Sequence, residues 1–307
     1  MSRKGSGKRE TFRTLRGEGP ISLREHPPKR REGEIMKIAK KPVITMAPTT
    51  PVYDAINIMV KEGFRRIPVA DPGTKKLLGI ITAMDIINYL GGGEKFKIIQ
   101  KRHGGNFYKA IYEPIKAIMA TKVISIKTTG GIDEAIELMK EHNVGGLPVI
   151  DEEEKIWGIV TERDIAFLFA GTISGAKVSS IMSTNVITTK PRASIFQAEK
   201  TMVERGFRRL PLVSEGKLTG IVTVMDILRF FGTSQVFQHL KSGTIMQVLQ
   251  TPVDEIAKKK LITITPEEDL GKAAKLMEEN NIGALPVVKN EKLVGIITER
   301  DFFKAVV

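Results

Sequence analysis

The sequence of 307 residues lacks cysteine and contains only four histidines and one tryptophan. The absence of cysteine excludes disulfide bridges, thiolate metal sites and cysteine nucleophiles. The histidines, His26, His103, His142 and His239, do not fall at the spacing of metal ligands, so each is interpreted as a surface residue. We therefore expect no metal site and no required cofactor.

Long apolar runs are also missing. No stretch approaches the roughly 20 apolar residues of a membrane span, and the first residues are basic and polar, unlike a signal peptide. A Gly-x-x-x-x-Gly-Lys-Ser/Thr phosphate loop does not occur, since Gly5-Ser6-Gly7-Lys8 is followed by Arg9. These absences favour a cytoplasmic protein that has no membrane contact and no catalytic residues, and that is not an enzyme.

What the chain does contain is a fourfold repeat. Each copy has a proline, a glycine nine to eleven positions later and then a Thr-x-x-Asp. The copies are Pro68, Gly79, Thr82, Asp85; Pro148, Gly158, Thr161, Asp164; Pro211, Gly220, Thr223, Asp226; and Pro286, Gly295, Thr298, Asp301. A repeat of this kind determines the architecture, because each copy is one structural unit.

Each copy also predicts its secondary structure. Upstream of the proline, an apolar residue, an alanine and a methionine recur at spacings of three and four, which places them on one buried helix face. Two β-branched runs joined by a polar turn follow, and a short run precedes the helix at 43–45, 123–125, 186–188 and 261–263. Each unit should therefore run strand, helix, strand, strand, helix, with the last helix beginning at the Thr-x-x-Asp. The predicted fold class is α/β (α+β).

The copies alternate in sequence. The first and third share Gly-Phe-Arg-Arg before the proline, whereas the second and fourth share Asn-x-Gly there and Glu-Arg-Asp at the end of the hairpin. Duplication of a pair leaves this arrangement, so we predict two modules of two units each. The predicted boundaries are a basic mobile tail at 1–34, units at 35–91, 115–170, 177–232 and 253–307, and linkers at 92–114 and 233–252, the first of them helical.

From about residue 35 to 307 the chain resembles CBS domains, and its two pairs of units resemble two Bateman modules that form a disc. The whole pattern, including Gly91-Gly92-Gly93 and Asn106-Phe107, is similar to archaeal stand-alone four-CBS proteins. Those proteins in turn resemble the gamma subunit of AMP-activated protein kinase. The resemblance implies a regulatory protein that senses energy state by binding AMP, ADP and ATP, and it leaves the regulated partner protein unknown.

The Thr-x-x-Asp has two compatible interpretations. A threonine followed three residues later by an acid is a helix cap. A helix N-terminus also favours a nearby phosphate, and a carboxylate can accept two ribose hydroxyls, at roughly 1.5–3 kcal/mol for each charged hydrogen bond. The resemblance assigns ribose contact to Asp85, Asp164, Asp226 and Asp301, with Thr82, Thr161, Thr223 and Thr298 in the same pockets. All four copies keep the aspartate, which permits up to four sites of at least two kinds.

Phosphate groups need positive counter-charge. The odd copies offer two arginine pairs, Arg65-Arg66 and Arg208-Arg209. Because neighbouring strand residues point to opposite faces, one of each pair should face the cleft, and the resemblance favours Arg65 and Arg208. Arg66 and Arg209 are then expected to be solvated or snorkelling residues. The second candidates directly precede the aspartates of the even copies and are Arg163 and Arg300. For all these arginines the alternative interpretation is a surface salt bridge.

An adenine ring needs a flat apolar slot and a few backbone hydrogen bonds. The short run before each first helix is suited to this, although β-branched residues are equally expected in a plain strand. The resemblance assigns base contact to Ile44, Thr45, Ile124, Ser125, Ile187, Thr188, Ile262 and Thr263.

Two alternatives to a nucleotide sensor are open. The tail at 1–34 holds ten Lys or Arg against five Glu, a net charge of +5 out of the overall +13, and it lacks the apolar residues for a core. It is either a solvated arm or a contact for nucleic acid or an acidic partner, in which case the CBS units serve as a scaffold. The other alternative is a sensor of S-adenosylmethionine, whose cationic sulfonium matches Arg65 and Arg208 poorly.

Overall fold

The structure is a computed structural model that describes residues 33–170, 175–233, 235–240 and 242–305. The basic tail predicted for residues 1–34 lies outside the described residues except at its end, where a helix already begins at Glu34. Within these described ranges, no helix is both long and apolar enough to cross a membrane.

The first module contains two units joined by a helical linker. Unit 1 and the linker comprise α1 (Glu34–Ile38), α2 (Val52–Glu62), β1 (Arg66–Ala70), β2 (Leu77–Thr82), α3 (Ala83–Ile87), a π-helical turn (Asn88–Gly92), α4 (Phe96–His103) and α5 (Phe107–Ile111). Unit 2 comprises a 3-10 turn (Ile115–Ala117), β3 (Ile126–Lys127), α6 (Ile132–Glu141), β4 (Gly146–Ile150), β5 (Ile156–Thr161), α7 (Glu162–Ala166) and a 3-10 turn (Phe167–Phe169).

The second module repeats this order. Unit 3 and its linker comprise a 3-10 turn (Val178–Ser180), α8 (Ile195–Arg205), β6 (Arg209–Ser214), β7 (Lys217–Thr223), α9 (Val224–Gly232), α10 (Gln235–Gln238) and α11 (Ile245–Leu249). Unit 4 comprises a 3-10 turn (Val253–Glu255), α12 (Leu270–Glu279), β8 (Ala284–Lys289), β9 (Lys292–Thr298) and a final 3-10 helix (Glu299–Ala305). The predicted α/β (α+β) class and the fourfold repeat of the unit are confirmed.

The repeated helix face is buried in every unit. Its members are Val52, Ala55, Met59; Ile132, Ala135, Met139; Ile195, Ala198, Met202; and Leu270, Ala273, Met277. Each helix packs this face against its own antiparallel hairpin, in which the repeat proline pairs with an isoleucine of the next strand, as Pro68 does with Ile80. The spacing of three and four thus predicted the buried face correctly.

The residues before the first long helix of each unit form a segment that we call its lead-in, at 33–46, 115–126, 175–189 and 253–264. Each lead-in first lies on the hairpin of the partner unit, through the bridges Lys40↔Ile159, Ile80↔Ala120, Ser183↔Ile296 and Ile221↔Lys258. The lead-ins of a module are therefore exchanged between its two units. Accordingly Ile35 and Ile38 of α1, within the range predicted for unit 1, lie in the core of unit 2.

The repeat glycine gives the exchanged lead-in room to pass. A Cβ on Gly79 would lie 2.8 Å from the Ala120 carbonyl oxygen, and one on Gly295 would lie 3.1 Å from that of Ser183. The same approach measures 3.3 Å at Gly158 and 3.2 Å at Gly220. A side chain at these positions would hold the crossing backbone away from its hairpin.

The predicted first strands are wrong in position. Residues 43–45, 123–125, 186–188 and 261–263 form no strand. Parallel pairing with the unit's own hairpin begins at the residue directly after each predicted run. It consists of a single bridge at Met46, Thr189 and Ile264, and of the two-residue β3 at Ile126. The reason is the exchange: the chain is still crossing from the partner hairpin over these residues, so it pairs only where it arrives.

The two modules pack through their helices. Units 1 and 3 share one hydrophobic core, in which the Phe107 and Phe231 rings stack with centroids 6.1 Å apart. Units 2 and 4 keep separate cores that exchange an aromatic residue, since Phe303 lies in the core of unit 2 and Phe167 in that of unit 4. Unit 1 therefore faces unit 3 and unit 2 faces unit 4, around a common centre.

Candidate functional site

Each Thr-x-x-Asp forms the helix cap that its sequence predicts. The Oδ2 atom of the aspartate accepts hydrogen bonds from the backbone N–H and the Oγ1 hydroxyl of its threonine, at 2.6–3.0 Å in all four units. In units 1 and 3 the threonine hydroxyl in return accepts a hydrogen bond from the backbone N–H of the aspartate. One carboxylate oxygen is thus committed to structure, and Oδ1 alone is left for a ligand.

Every one of these Oδ1 atoms carries a basic side chain. The ion pairs are Lys95 to Asp85 at 2.6 Å, Lys40 to Asp164 at 2.7 Å, Arg229 to Asp226 at 3.0 Å and Lys304 to Asp301 at 2.7 Å. Sequence reasoning missed all four cations. The spacing of three residues on one helix could have revealed Arg229 and Lys304, whereas Lys40 and Lys95 come from a lead-in and a linker.

Three cavities lie between a lead-in and the Thr-x-x-Asp of its partner unit. The first, of about 160 Å³, joins Ile44 to Thr161. The second, of about 500 Å³, joins Ile187 to Thr298 and Asp301. The third, of about 220 Å³, joins Ile262 to Thr223. The exchange of lead-ins therefore brings the proposed base segment of one unit to the Thr-x-x-Asp threonine of the other, and in the second cavity to the aspartate as well.

The residues proposed for base contact divide into two groups. Ile44, Ile187 and Ile262 line the first, second and third cavity respectively. The remaining residues are not among those that line these three cavities: Thr45, Ile124, Ser125, Thr188 and Thr263. In the second cavity, for example, Asn185 and Val186 line the wall beside Ile187. The wall is thus formed by the isoleucine and the residues before it.

The six candidate arginines converge on the common centre, together with two glutamates that sequence reasoning did not single out. Arg65 and Arg163 both pair with Glu299, at 2.6 and 2.5 Å. Arg208 and Arg300 pair with Glu162, at 2.6 and 3.4 Å. The two glutamates, 1% and 2% exposed, belong to the Glu-Arg-Asp of the even copies. The ion pairs cross between the modules, so they are not surface salt bridges.

Both glutamates are held ionised. Burial by itself raises the pKa of Glu162, but the guanidinium groups of Arg208, Arg66 and Arg300 outweigh it and keep the pKa below its ordinary value. The same balance, with Arg65 and Arg163 opposing burial, holds the pKa of Glu299 far below its ordinary value. Two carboxylates thus offset part of the arginine charge.

Arg66 and Arg209 are half-buried and line the cavities at the common centre, contrary to the expectation that they lie in solvent at the surface. Burial, reinforced by neighbouring arginines, lowers the pKa of Arg66 to about 10 and that of Arg209 to about 9. Neither has an ion-pair partner within 4.0 Å in the part of the chain that the structure describes. Neighbouring residues of a strand point to opposite faces, but here both faces of the strand lie against other units of the protein.

The Asn-x-Gly of the even copies serves the same centre. Asn281 accepts a hydrogen bond of 2.6 Å from Arg163, and Asn143 accepts one from Arg300. A Cβ on Gly283 would lie 2.5 Å from Arg65 Nη2, and one on Gly145 would lie 2.7 Å from Glu162 Oε2. The alternation between copies therefore separates units that supply arginine pairs from units that make room for them.

With six arginines and two glutamates, the centre carries four uncompensated positive charges. Such a concentration of charge in a partly enclosed space attracts anions. The first cavity reaches the centre at Arg65, Arg66 and Arg163, and the second and third cavities reach it at Arg208 and Arg209. All three cavities thus have an apolar end and a cationic end.

Residues 33–92, 115–171, 178–233 and 253–307 match the CBS domain family. The chain belongs to this family. Protein MJ1225 of Methanocaldococcus jannaschii is 40% identical over 273 residues, which are 88% of this chain and 98% of that protein. The crystal structure of MJ1225, reported as a candidate archaeal homologue of g-AMPK, matches with a TM-score of 0.85 and 39% identity, covering 89% of this chain and 100% of the other.

Two further relatives differ in how much of their length is matched. A 33.4 kDa protein in the ribosomal RNA operon of Thermofilum pendens is 34% identical over 267 residues, 87% of this chain and 89% of that protein. Inosine-5'-monophosphate dehydrogenase of Korarchaeum cryptofilum is 36% identical over 133 residues, but these are 43% of this chain and only 26% of the enzyme. The enzyme is thus similar to this four-CBS chain over a minor part of its length.

Proposed function

We propose that this four-CBS protein is a regulatory sensor that binds adenine nucleotides in the clefts of its two modules. The observation that carries the proposal is the polarity of the three cavities. Each runs from an apolar isoleucine, past the threonine of a Thr-x-x-Asp cap, to arginines of a centre with excess positive charge. A purine base, a ribose and a phosphate present the matching sequence of apolar, hydroxyl and anionic groups.

The second cavity is the best candidate for a nucleotide. Its volume of about 500 Å³ falls within the usual range of small-molecule pockets, while the other two are smaller than that range. Here Ile187 would contact the base, Asp301 Oδ1 would accept the ribose hydroxyls, and Arg208 and Arg209 would bind phosphate. The first and third cavities would have to widen to hold the same ligand, which favours unequal affinities.

Two considerations favour phosphorylated adenosines over other adenosyl ligands. The arginines at the centre attract phosphate oxygens and repel a sulfonium cation, which argues against S-adenosylmethionine. The likeness to MJ1225, reported as a candidate homologue of g-AMPK, points the same way. The nucleic-acid alternative depends on the tail, almost all of which lies outside the described residues, so no described contact favours it.

Titration calorimetry on the full chain, freed of co-purified nucleotide, tests the proposal. We expect AMP, ADP and ATP to bind with dissociation constants below about 1 mM. These constants should be on the order of 10–1,000-fold lower than that of adenosine, because one to three charge-assisted contacts to phosphate distinguish the nucleotides from adenosine. Adenosine, which lacks phosphate, is the matched control ligand and should bind more weakly. The absence of binding by any nucleotide at millimolar concentration would exclude this function.

A further inference from the structure

The ribose aspartate of unit 1 is held by a residue of the linker. Lys95 Nζ donates to Asp85 Oδ1 at 2.6 Å and also donates to the main-chain carbonyl of Ile118. The backbone of Lys95 is itself fixed, because its N–H donates to the Asn88 side chain at 2.9 Å. Lys95 thus connects Asp85 of unit 1 to the lead-in of unit 2.

These two groups are the walls of the fourth cleft. The lead-in that contains Ile118 continues to Ile124 and Ser125, the expected base segment, while Thr82 and Asp85 form the opposite wall. None of these residues lines any of the three cavities described above. The ammonium group of Lys95 therefore joins the two walls of this fourth cleft.

Lys95 occupies the hydrogen-bond acceptor that a ribose hydroxyl would need. Asp85 Oδ2 is used by Thr82, so a ribose hydroxyl could bind only at Oδ1, where Lys95 already donates. The carboxylate is not closed off by burial, because at 18% its side chain is the most exposed of the four ribose aspartates. The cation, rather than the depth of the site, is what stands in the way of a ligand.

Lys304 provides an internal comparison. It pairs with Asp301 at 2.7 Å and with the Ile181 carbonyl at 2.9 Å, the same two kinds of partner. However, Lys304 projects from the helix of Asp301, is 54% exposed and lies on the wall of the open second cavity. Lys95 comes from outside the helix of Asp85 and is only 30% exposed. The two lysines make the same bonds, but the exposed Lys304 has room to turn away from its aspartate, whereas Lys95 is less exposed and its backbone is fixed by Asn88.

We propose that Lys95 is a tethered occupant of the fourth cleft, which excludes nucleotide from Asp85 until the ammonium group is released. The inference rests on the proposed nucleotide function of the other clefts. It also makes the first linker part of a binding site, since a movement of the residues around Lys95 would expose Asp85 Oδ1. Lys95 determines whether the fourth cleft binds ligand, and it is a positioning residue rather than a ligand-binding one.

Equilibrium dialysis with radiolabelled AMP, at saturating concentration on the full nucleotide-free chain, counts the sites. Lys95→Met should bind one more AMP per chain than the unmodified protein, and Lys95→Gln is a second variant of similar length. Adding Asp85→Asn to Lys95→Met should remove the gained site. The matched control Lys97→Met, which changes an exposed lysine two residues away, should leave the number of sites unchanged.

The outcomes separate the two proposals. A gain of one site in Lys95→Met or Lys95→Gln that disappears with Asp85→Asn supports the tethered occupant. An unchanged number of sites in both folded Lys95 variants overturns it, while nucleotide binding at the other clefts stands. If no AMP binds to any variant or to the unmodified chain, the proposed function itself fails and the inference fails with it.

Discussion

Arg163 of unit 2 donates from Nε to Glu299 of unit 4 at 2.5 Å, across the centre of the molecule. Glu299 also pairs with Arg65 of unit 1, and its side chain is 2% exposed. One carboxylate therefore links three of the four units. Its counterpart Glu162 joins Arg208 of unit 3 and Arg300 of unit 4 to unit 2.

Removal of the Glu299 charge should be strongly destabilising. Glu299→Gln leaves Arg65 and Arg163 without a counter-charge in a region already rich in arginine, and loss of one member of a buried pair costs about 3–5 kcal/mol. Urea unfolding at pH 7 measures the effect. The matched control is Glu154→Gln, which breaks an exposed pair with Lys76 and should change the free energy of unfolding by less than about 1 kcal/mol.

The ion pairs of Glu299 also make the stability of the protein depend on pH. Because the folded-state pKa of Glu299 lies below its unfolded value, its stabilisation is complete above the unfolded pKa and is lost as the pH falls towards the folded one. The unmodified protein should therefore lose stability on acidification below the ordinary glutamate pKa more steeply than Glu299→Gln does. Parallel stability curves for the two proteins would contradict this.

Replacing Arg209 with methionine should raise the stability of the protein and weaken its binding of AMP. Arg209→Met removes a half-buried guanidinium that lies among like charges and has no ion-pair partner in the described part of the chain, so the ligand-free protein should unfold at a higher temperature. Binding of AMP should weaken roughly 10-fold or more, as one charge-assisted phosphate contact is lost, while adenosine binding should not change. Differential scanning calorimetry and titration calorimetry measure the two effects.

The exposed Arg192 gives the control for this pair of measurements. Arg192→Met removes the same charge at the surface and should alter neither the unfolding temperature nor AMP affinity. If Arg209→Met lowered stability and left AMP binding intact, Arg209 would be a structural residue and not a phosphate-binding one.

Glu199 is an acidic residue at an apolar position of the repeat. It follows the buried helix alanine, where the other units have Ile56, Ile136 and Ala274. The side chain is fully buried, and neither carboxylate oxygen has a hydrogen-bond partner among the described residues. It lies against the π-helical turn of unit 1, where a Cβ on Gly91 would approach Glu199 Oε2 to 2.8 Å.

Replacing this residue should stabilise the protein. Glu199→Ile removes an unsatisfied buried polar group, worth roughly 1–3 kcal/mol. Burial raises the pKa of Glu199 well above its ordinary value, so the unfolded state loses its proton first and native stability falls as the pH rises between the two values. The advantage of Glu199→Ile in urea unfolding should therefore grow from pH 4 to pH 8. Glu204→Gln, exposed on the same helix, should show no such trend.

The repeat glycine should tolerate no methyl group where a lead-in crosses it. Gly79→Ala would place its Cβ 2.8 Å from the Ala120 carbonyl oxygen, and the displacement of packed backbone costs about 1–3 kcal/mol. Gly73→Ala is the control, because that Cβ would meet only the turn side chain of Asp71, at 3.4 Å. Equal unfolding free energies for the two variants would show that the lead-in can shift freely.

Local features of this fold were predictable from the sequence, and features that depend on other units were not. The buried helix faces and the Thr-x-x-Asp caps follow from spacings of three and four residues within one segment. The exchange of lead-ins could not be read from one copy, because Ala120 and Gly79 meet only when two units pair. That exchange moved the first strands by one residue and gave the repeat glycine its role.

The candidate site shows the same division. The convergence of the arginines was expected only in part, because strand alternation does not reveal that units surround both faces of Arg66. Glu162 and Glu299 were visible as a shared Glu-Arg-Asp, yet their partners lie in other units. Lys95 and Lys40 gave no local signal at all.

The most direct test of the nucleotide-sensor function is AMP titration calorimetry of the unmodified chain against Asp301→Asn. Asparagine keeps an oxygen acceptor for the Thr298 cap but loses the carboxylate charge offered to ribose at the second cavity. The unmodified protein should bind AMP with a submillimolar dissociation constant, and Asp301→Asn should weaken the site of highest affinity by about 10-fold or more. An unmodified chain that binds no AMP, or a variant that binds AMP equally well, would contradict the proposed function of this site.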